Sequence, residues 1–333
     1  MKTLIIAEAG VNHNGDINQA KKLIDIAEES GADLIKFQLY DSNDLVTKDA
    51  AKANYQILVT DISESQREML SKLELTEDMM KELIFYTRAK NIGIFATGFD
   101  IKSVNTLVNL GQELFKIPSG EITNLPLLRH IGRLNKQIIL STGMCELDEV
   151  AYAIKVLISS GTPKEKITVL HCTSAYPTPM SDVNLNAMQT MRKVFDISIG
   201  YSDHSQGIEV AIAAVALGAC VIEKHFTIDR NLPGPDHKAS LEPTELKSLV
   251  ASIRNLEKAM GNGVKRVMPS EISNLAASRK SIVTKVSIKQ GEVFTFDNLT
   301  SKRPGTGVSP IRIDEIIGTK SVRDYMPDEI IEL

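Results

Sequence analysis

The sequence predicts a (β/α)8 barrel followed by a smaller mixed module. Three observations carry this expectation. Short apolar runs alternate with helix-like stretches eight times before residue 261. No GxGxxG or GxxxxGK[ST] pattern follows the first run, which argues against an open, doubly wound nucleotide-binding sheet. Polar residues recur at the C-terminal ends of the runs, where such barrels carry their active sites.

Taken in order, the runs are LIIAE (4–8), DLIKFQ (33–38), IGIFAT (92–97), ELFKIPS (113–119), QIILST (137–142), ITVLHC (167–172), ISIGYSDH (197–204) and CVIEKHF (220–226). Each is short, rich in β-branched or aromatic residues and bounded by polar or glycine-containing segments, as a buried parallel strand should be. Between them, INQAKKLIDIAEES, TEDMMKELIFYTRAK, ELDEVAYAIKVLISS and QGIEVAIAAVALG read as helices. The first follows a capping NGD, and EPTELKSLVASIRNLEKAMG closes the series at Gly261.

At 333 residues the chain exceeds most single cores, so one large and one small domain are expected: a barrel over 1–261, a tether over 262–278 and a compact module over 279–333. A hydrophobic content of 43% and a charged content of 24% are ordinary for a globular protein. A net charge of −4, a pI near 5.9, no Trp and no Lys/Arg run give nucleic acid no foothold. The opening apolar run is broken by Glu8 and is too short for a secretory or membrane segment, so a cytoplasmic, membrane-free protein is expected. Cys145, Cys172 and Cys220 are odd in number and far apart, and read as small buried hydrophobes.

The chemistry lies in the polar ends. In VIEKHF (221–226), a period of two places Glu223 and His225 on one face, where burial is costly unless they enter a polar pocket. Glu8, Lys36, Gln38, Thr97, Lys116, Ser119, Ser141, His171, Ser202 and His204 stand at equivalent ends. His204 and His225, on neighbouring strands with Asp203, Glu223 and Asp236 near in sequence, suit a divalent metal with open positions; manganese fits, with magnesium or cobalt as alternatives. Lys36 and Lys116, with the hydroxyls of Thr97, Ser119, Ser141 and Ser202, suit a small phosphate ester. Glycines in IPSGE and LSTGM would let backbone amides reach the same anion. A rim lysine equally admits a Schiff-base aldolase, and a non-catalytic sugar-binding protein is a further alternative. His13, His130 and His237 read as surface or packing residues. In the module, Arg303 sits in KRPGTG, a loop suited to presenting a clamp.

These motifs together, in the order AEAGVNHNG, IKFQ, FKIPSGE, LSTGM, HCTSAYPTP, GYSDHS, IEKHFT, PGPDH and KRPGTG, resemble the sialic acid synthases nearly end to end. Those enzymes use phosphoenolpyruvate to make N-acetylneuraminate and its relatives legionaminate and pseudaminate. The resemblance implies a barrel followed by an antifreeze-like (SAF) domain that caps the partner's barrel in a domain-swapped homodimer. It implies a metal at His204 and His225, with Glu8, His204, His225 and Lys116 as catalytic residues. Phosphoenolpyruvate contacts are implied at Lys36, Thr97, Lys116, Ser119, Ser141 and Ser202, and contacts to an N-acyl amino sugar at Gln38, Glu121, Tyr176, Asp236 and Arg303. Two positions depart from the family pattern: ATGF (96–99) replaces a Ser-Thr-Pro-Phe stretch, and Ser174 stands where some members have Asn. The expected activity is N-acetylneuraminate synthesis, with legionaminate synthesis as the alternative and pseudaminate synthesis behind it.

Overall fold

The computed structural model describes residues 2–57, 60–61 and 63–332. The chain divides into two compact units, Met1–Gly261 and Asn262–Leu333.

The first unit carries eight parallel strands: β1 Leu4–Gly10, β2 Leu34–Leu39, β3 Gly93–Gly98, β4 Leu114–Ile117, β5 Gln137–Ser141, β6 Ile167–Cys172, β7 Ser198–Asp203 and β8 Val221–His225. They run in the order β3-β2-β1-β8-β7-β6-β5-β4, and β3 packs on β4 to complete the ring. The expected barrel is therefore present, and its strand ends differ from the expected runs by a few residues.

Helices form the outer layer for local reasons. The helix Ile17–Ser30 begins where the Asp16 carboxylate accepts from the Asn18 N–H and ends at Gly31, whose left-handed φ of 81° favours a residue without Cβ. Its buried residues, Ala20, Leu23, Ile24 and Ala27, follow the 3, 4, 7 spacing of one helical face. The closing helix Pro243–Ala259 likewise buries Leu246, Leu249, Val250 and Ile253.

Inside the ring, side chains two residues apart on each strand separate into a dry layer and a wet one. Ile6, Phe95, Ile139, Leu170 and Val221 form an apolar plug, with Leu34 and Leu114 packed against it. Two residues further along the same strands come Glu8, Thr97, Ser141, Cys172, Glu223, Lys36 and Lys116, all lining one cavity. On β7, Gly200 occupies the plug level, where a Cβ would lie 2.5 Å from both Leu170 Cδ2 and Val221 O, and Ser202 follows it into the cavity. The barrel is thus solid below and polar above.

The second unit pairs β9 Ser281–Thr284 with β10 Leu299–Lys302 in antiparallel fashion. Its own core consists of Ile282, Ile288, Phe294, Leu299, Ile316, Tyr325 and Ile331. The exposed helix Ile272–Ser278 precedes β9. Among the described residues, no helix is long and apolar enough to cross a membrane.

Candidate active site

The cavity at the C-terminal ends of the strands measures about 490 Å³. At its floor, Glu223 on β8 joins two lysines from distant parts of the chain. Lys116 Nζ donates to Glu223 Oε1 at 2.6 Å, and Lys36 Nζ lies 3.5 Å from Glu223 Oε2 and 3.0 Å from Glu8 Oε2. Ser202 Oγ donates to Glu223 Oε1 at 3.1 Å, and Lys36 also donates to Thr97 Oγ1 at 3.2 Å. All four charged side chains are buried.

Their environments differ enough to separate their protonation. Burial pushes the Glu8 carboxyl up to about 7, against the pull of the Lys36 ammonium and with help from the Glu223 charge. Burial acts on Glu223 too, but the Lys116 and Lys36 ammoniums together hold it far below the usual carboxylate range. For Lys36, burial is outweighed by Glu223 and Glu8, and its pKa rises; for Lys116, burial prevails and its pKa falls. One carboxylate is therefore firmly ionised, while the other is poised near neutrality.

The two histidines face each other above this floor, with ring centroids 5.6 Å apart. His204 Nδ1 lies 2.8 Å from the Thr173 carbonyl, a hydrogen bond that makes Nδ1 the donor and leaves Nε2 with a free lone pair. His225 Nδ1 is buried with no hydrogen-bond partner among the described residues. Burial lowers His204 to about 4, and burial beside the His204 ring holds His225 well below the usual imidazole value, so both rings are neutral, the form a metal requires. Tyr176 stacks at 4.3 Å from His204 and meets His225 edge-on at 5.9 Å. Gly10 closes this corner at φ 53°, in an irregularity of the β1–β2 register, and a Cβ there would lie 3.3 Å from His225 Cε1 and 3.4 Å from Glu8 Oε1.

On the opposite wall, the Gly143 N–H donates to Ser119 Oγ at 2.9 Å. A Cβ on Gly143 would lie 2.2 Å from Ser174 Oγ, so glycine allows the two loops to meet. Ser141 Oγ is buried without a partner among the described residues. Two ammonium groups, several hydroxyls and the unpartnered Ser141 Oγ around one space can receive an anion, and the neutral histidines can receive a divalent cation.

A model of the NeuB family matches residues 23–265, and a model of the SAF domain matches residues 279–332. The chain is 54% identical over 330 residues to N,N'-diacetyllegionaminic acid synthase of Campylobacter jejuni, covering 99% of each chain. The chain belongs to the NeuB family. It is also 46% identical to the enzyme of that name from Legionella pneumophila, covering 96% of this chain and 90% of that one. Among solved structures, the sialic acid synthetase of Leptospira borgpetersenii superposes with a TM-score of 0.73 at 36% identity, over 82% of this chain and 90% of that one. NeuB-family relatives of this kind are synthases of sialic-type sugar acids.

In this NeuB-family chain, the cavity gathers Glu8, Lys36, Gln38, Thr97, Lys116, Ser119, Ser141, Tyr176, Ser202, His204, His225 and Asp236 from the expected site residues. Two expected residues lie elsewhere. Glu121 ends a single 3-10 turn, Ser119–Glu121; its carboxylate accepts from Asn124 Nδ2 at 2.6 Å and lines a neighbouring depression with Asp44, Asp100 and Lys102. Arg303 belongs to the second unit, is exposed, and donates from Nε to the Ser278 carbonyl at 3.1 Å. His171 also fails to join the rim: its Nε2 lies 2.8 Å from the Val183 carbonyl and its ring packs on Tyr201. Counting by twos from the plug residue Leu170 puts Cys172, not His171, on the inward face.

Sequence reasoning did not single out Gln56, Gln66 and Leu70, which line the same cavity from the long β2–β3 connection. They lie on no strand end, and no periodic signal marks them.

Proposed function

We propose that this protein is an N,N'-diacetyllegionaminate synthase, condensing phosphoenolpyruvate with 2,4-diacetamido-2,4,6-trideoxymannose and water to give the nine-carbon acid and phosphate. The 54% identity over nearly the whole chain to an enzyme of that name favours this sugar over N-acetylmannosamine, so the alternative supersedes the N-acetylneuraminate reading expected from sequence. The observation that carries the chemistry is the meeting of two lysines and the orphaned Ser141 hydroxyl with a neutral histidine pair in one cavity.

In this reading, Lys36 and Lys116, aided by Ser119, Ser141 and Ser202, hold the phosphate group and stabilise its charge as it leaves. His204 and His225 would hold a divalent ion, and their neutral rings and free nitrogen fit it. Among the described residues no third His, Cys, Asp or Glu completes a ligand set, which leaves the other positions to oxygen atoms of water and substrate. When bound, such an ion supplies Lewis-acid polarisation of the sugar aldehyde. Carbon three of phosphoenolpyruvate attacks that aldehyde carbon, water adds to carbon two, and the C–O bond to phosphate breaks. Glu8, with its pKa near 7, takes the proton from the attacking water, while ionised Glu223 pairs with both lysines and, with Glu8, holds the Lys36 pKa up. The ion pairing of Lys36 with Glu223 and Glu8 favours its ammonium over the free amine that a Schiff base needs, which speaks against the aldolase alternative at that lysine. A domain-swapped dimer, with Arg303 of the SAF domain completing the sugar site of the partner, belongs to the same proposal.

Phosphate release from phosphoenolpyruvate, measured with each sugar and with Mn²⁺ or a chelator, tests it. Metal-dependent release that prefers the diacetamido sugar is the expected outcome. Preference for N-acetylmannosamine restores the N-acetylneuraminate reading, and release that persists in chelator removes the metal from the scheme.

A further inference from the structure

The β2–β3 connection is longer than the barrel requires. The helix Glu77–Thr87, which buries Met80 and Leu83, already supplies the packing for that unit, so the residues between Leu39 and Glu77 serve something else. Residues 65–73 of this connection are built rather than loose. The short helix Gln66–Ser71 is held by reciprocal bonds between Ser65 and Glu68, and its Met69 is buried in a small cluster with Val11, Tyr40 and Leu73. Tyr40 Oη donates to the Leu70 carbonyl at 3.2 Å, and the Gln66 N–H donates to the Ala50 carbonyl at 3.2 Å. With Met69 turned into the cluster, Gln66 and Leu70, four residues apart on one side of the helix, line the cavity beside Val11 and Phe99.

This outer wall differs in chemistry from the floor. A carboxamide offers a donor and an acceptor together, which matches the N–H and C=O of an acetamido group. Leu70, Val11 and Phe99 offer apolar surface, which suits a methyl and leaves a hydroxymethyl unsatisfied. We propose that the Gln66–Leu70 face selects the sugar, Gln66 receiving the acetamido group at C4 and Leu70 packing against the C6 methyl. This rests on the legionaminate reading, in which both groups are present; N-acetylmannosamine has hydroxyls at both places.

The test uses the full-length protein and its Gln66→Ala and Leu70→Asn variants, comparing kcat/KM for the two sugars at saturating phosphoenolpyruvate and Mn²⁺. Gln66→Ala is expected to lower the preference for the diacetamido sugar by about 10- to 100-fold, because the second acetamido group loses its partner. Leu70→Asn is expected to raise activity on N-acetylmannosamine relative to the diacetamido sugar, a gain that damage to the fold does not produce. The KM for phosphoenolpyruvate stays unchanged in both and serves as the check that the barrel is intact; Leu70→Met, which keeps the apolar wall, retains the preference. A wild-type protein that prefers the diacetamido sugar, with variants that keep its sugar ratio, overturns the proposal alone. A wild-type preference for N-acetylmannosamine overturns it together with the reading beneath it.

Discussion

Ser141 shows how one residue can serve the site at the expense of the free protein. Its hydroxyl is buried without a partner among the described residues, and an unsatisfied buried polar group costs about 1–3 kcal/mol. Ser141→Ala is therefore expected to leave thermal stability of the free protein unchanged or slightly raised. The same change should weaken phosphoenolpyruvate binding roughly 10- to 100-fold, the worth of one hydrogen bond to a charged group. Calorimetry of the variant with and without phosphoenolpyruvate separates the two effects; a variant that melts lower yet binds normally would show that Ser141 is structural. Glu223 differs, since its Oε1 accepts from both Lys116 and Ser202 and its Oε2 lies 3.5 Å from the Lys36 ammonium.

At the scale of elements, β7 and β8 are fastened behind the histidines by groups on the outward face. Lys224 Nζ bonds Asp203 Oδ2 at 2.7 Å and the Ser205 carbonyl at 2.8 Å, while Asp203 Oδ1 accepts from both the N–H and Oγ of Ser205. His204 sits between Asp203 and Ser205, and His225 follows Lys224, so this buried pair sets the spacing of the two rings. Lys224→Met leaves the buried Asp203 side chain without its ammonium partner, and is expected to cost about 3–5 kcal/mol in urea unfolding. A loss below about 1 kcal/mol, the range of a surface pair, would count against that role. Adding Asp203→Leu should recover part of the loss, since the orphaned carboxyl goes with it.

The opposite end of the barrel has its own fastening. Asp33 accepts from Lys2 Nζ at 2.6 Å, from the Ile5 N–H at 2.8 Å and from Arg254, tying β1, β2 and the closing helix together. Burial raises its pKa, but these hydrogen bonds outweigh it and hold the carboxyl below its usual value. Its contribution is thus complete above the unfolded value of about 4 and disappears as pH falls through the lower folded value. Urea midpoints should fall more steeply below about pH 4 in the natural protein than in Asp33→Asn. Equal slopes would remove Asp33 from the acid response.

At the scale of the whole molecule, the residue in question is Arg303, which the proposed function assigns to the sugar. Arg303 lies outside the cavity-bearing unit and donates to the Ser278 backbone carbonyl of its own unit. Arg303→Ala should leave the melting temperature unchanged and lower kcat/KM for the sugar by about tenfold or more, the loss of a charge-assisted hydrogen bond. If the SAF domain caps the partner's barrel, refolding Arg303→Ala together with His225→Ala regains activity, because mixed dimers contain one barrel with intact histidines facing an intact Arg303. No recovery on mixing would place Arg303 over its own barrel.

By itself the sequence determined which residues form strands and which side chains share their faces, because alternation by two and the spacing of helical faces are local properties. That is why VIEKHF already separated Glu223 and His225 from Lys224, and why eight polar strand ends announced a rim. What only the tertiary structure decided depends on closure of the ring and the packing of loops. Glu223 meets Lys116 across 107 positions of chain, Glu121 turns aside in a 3-10 turn, and Gln66 reaches the cavity from a helix held by its own small core. Such contacts follow from long-range distances in the folded barrel, and no periodicity in the chain encodes them.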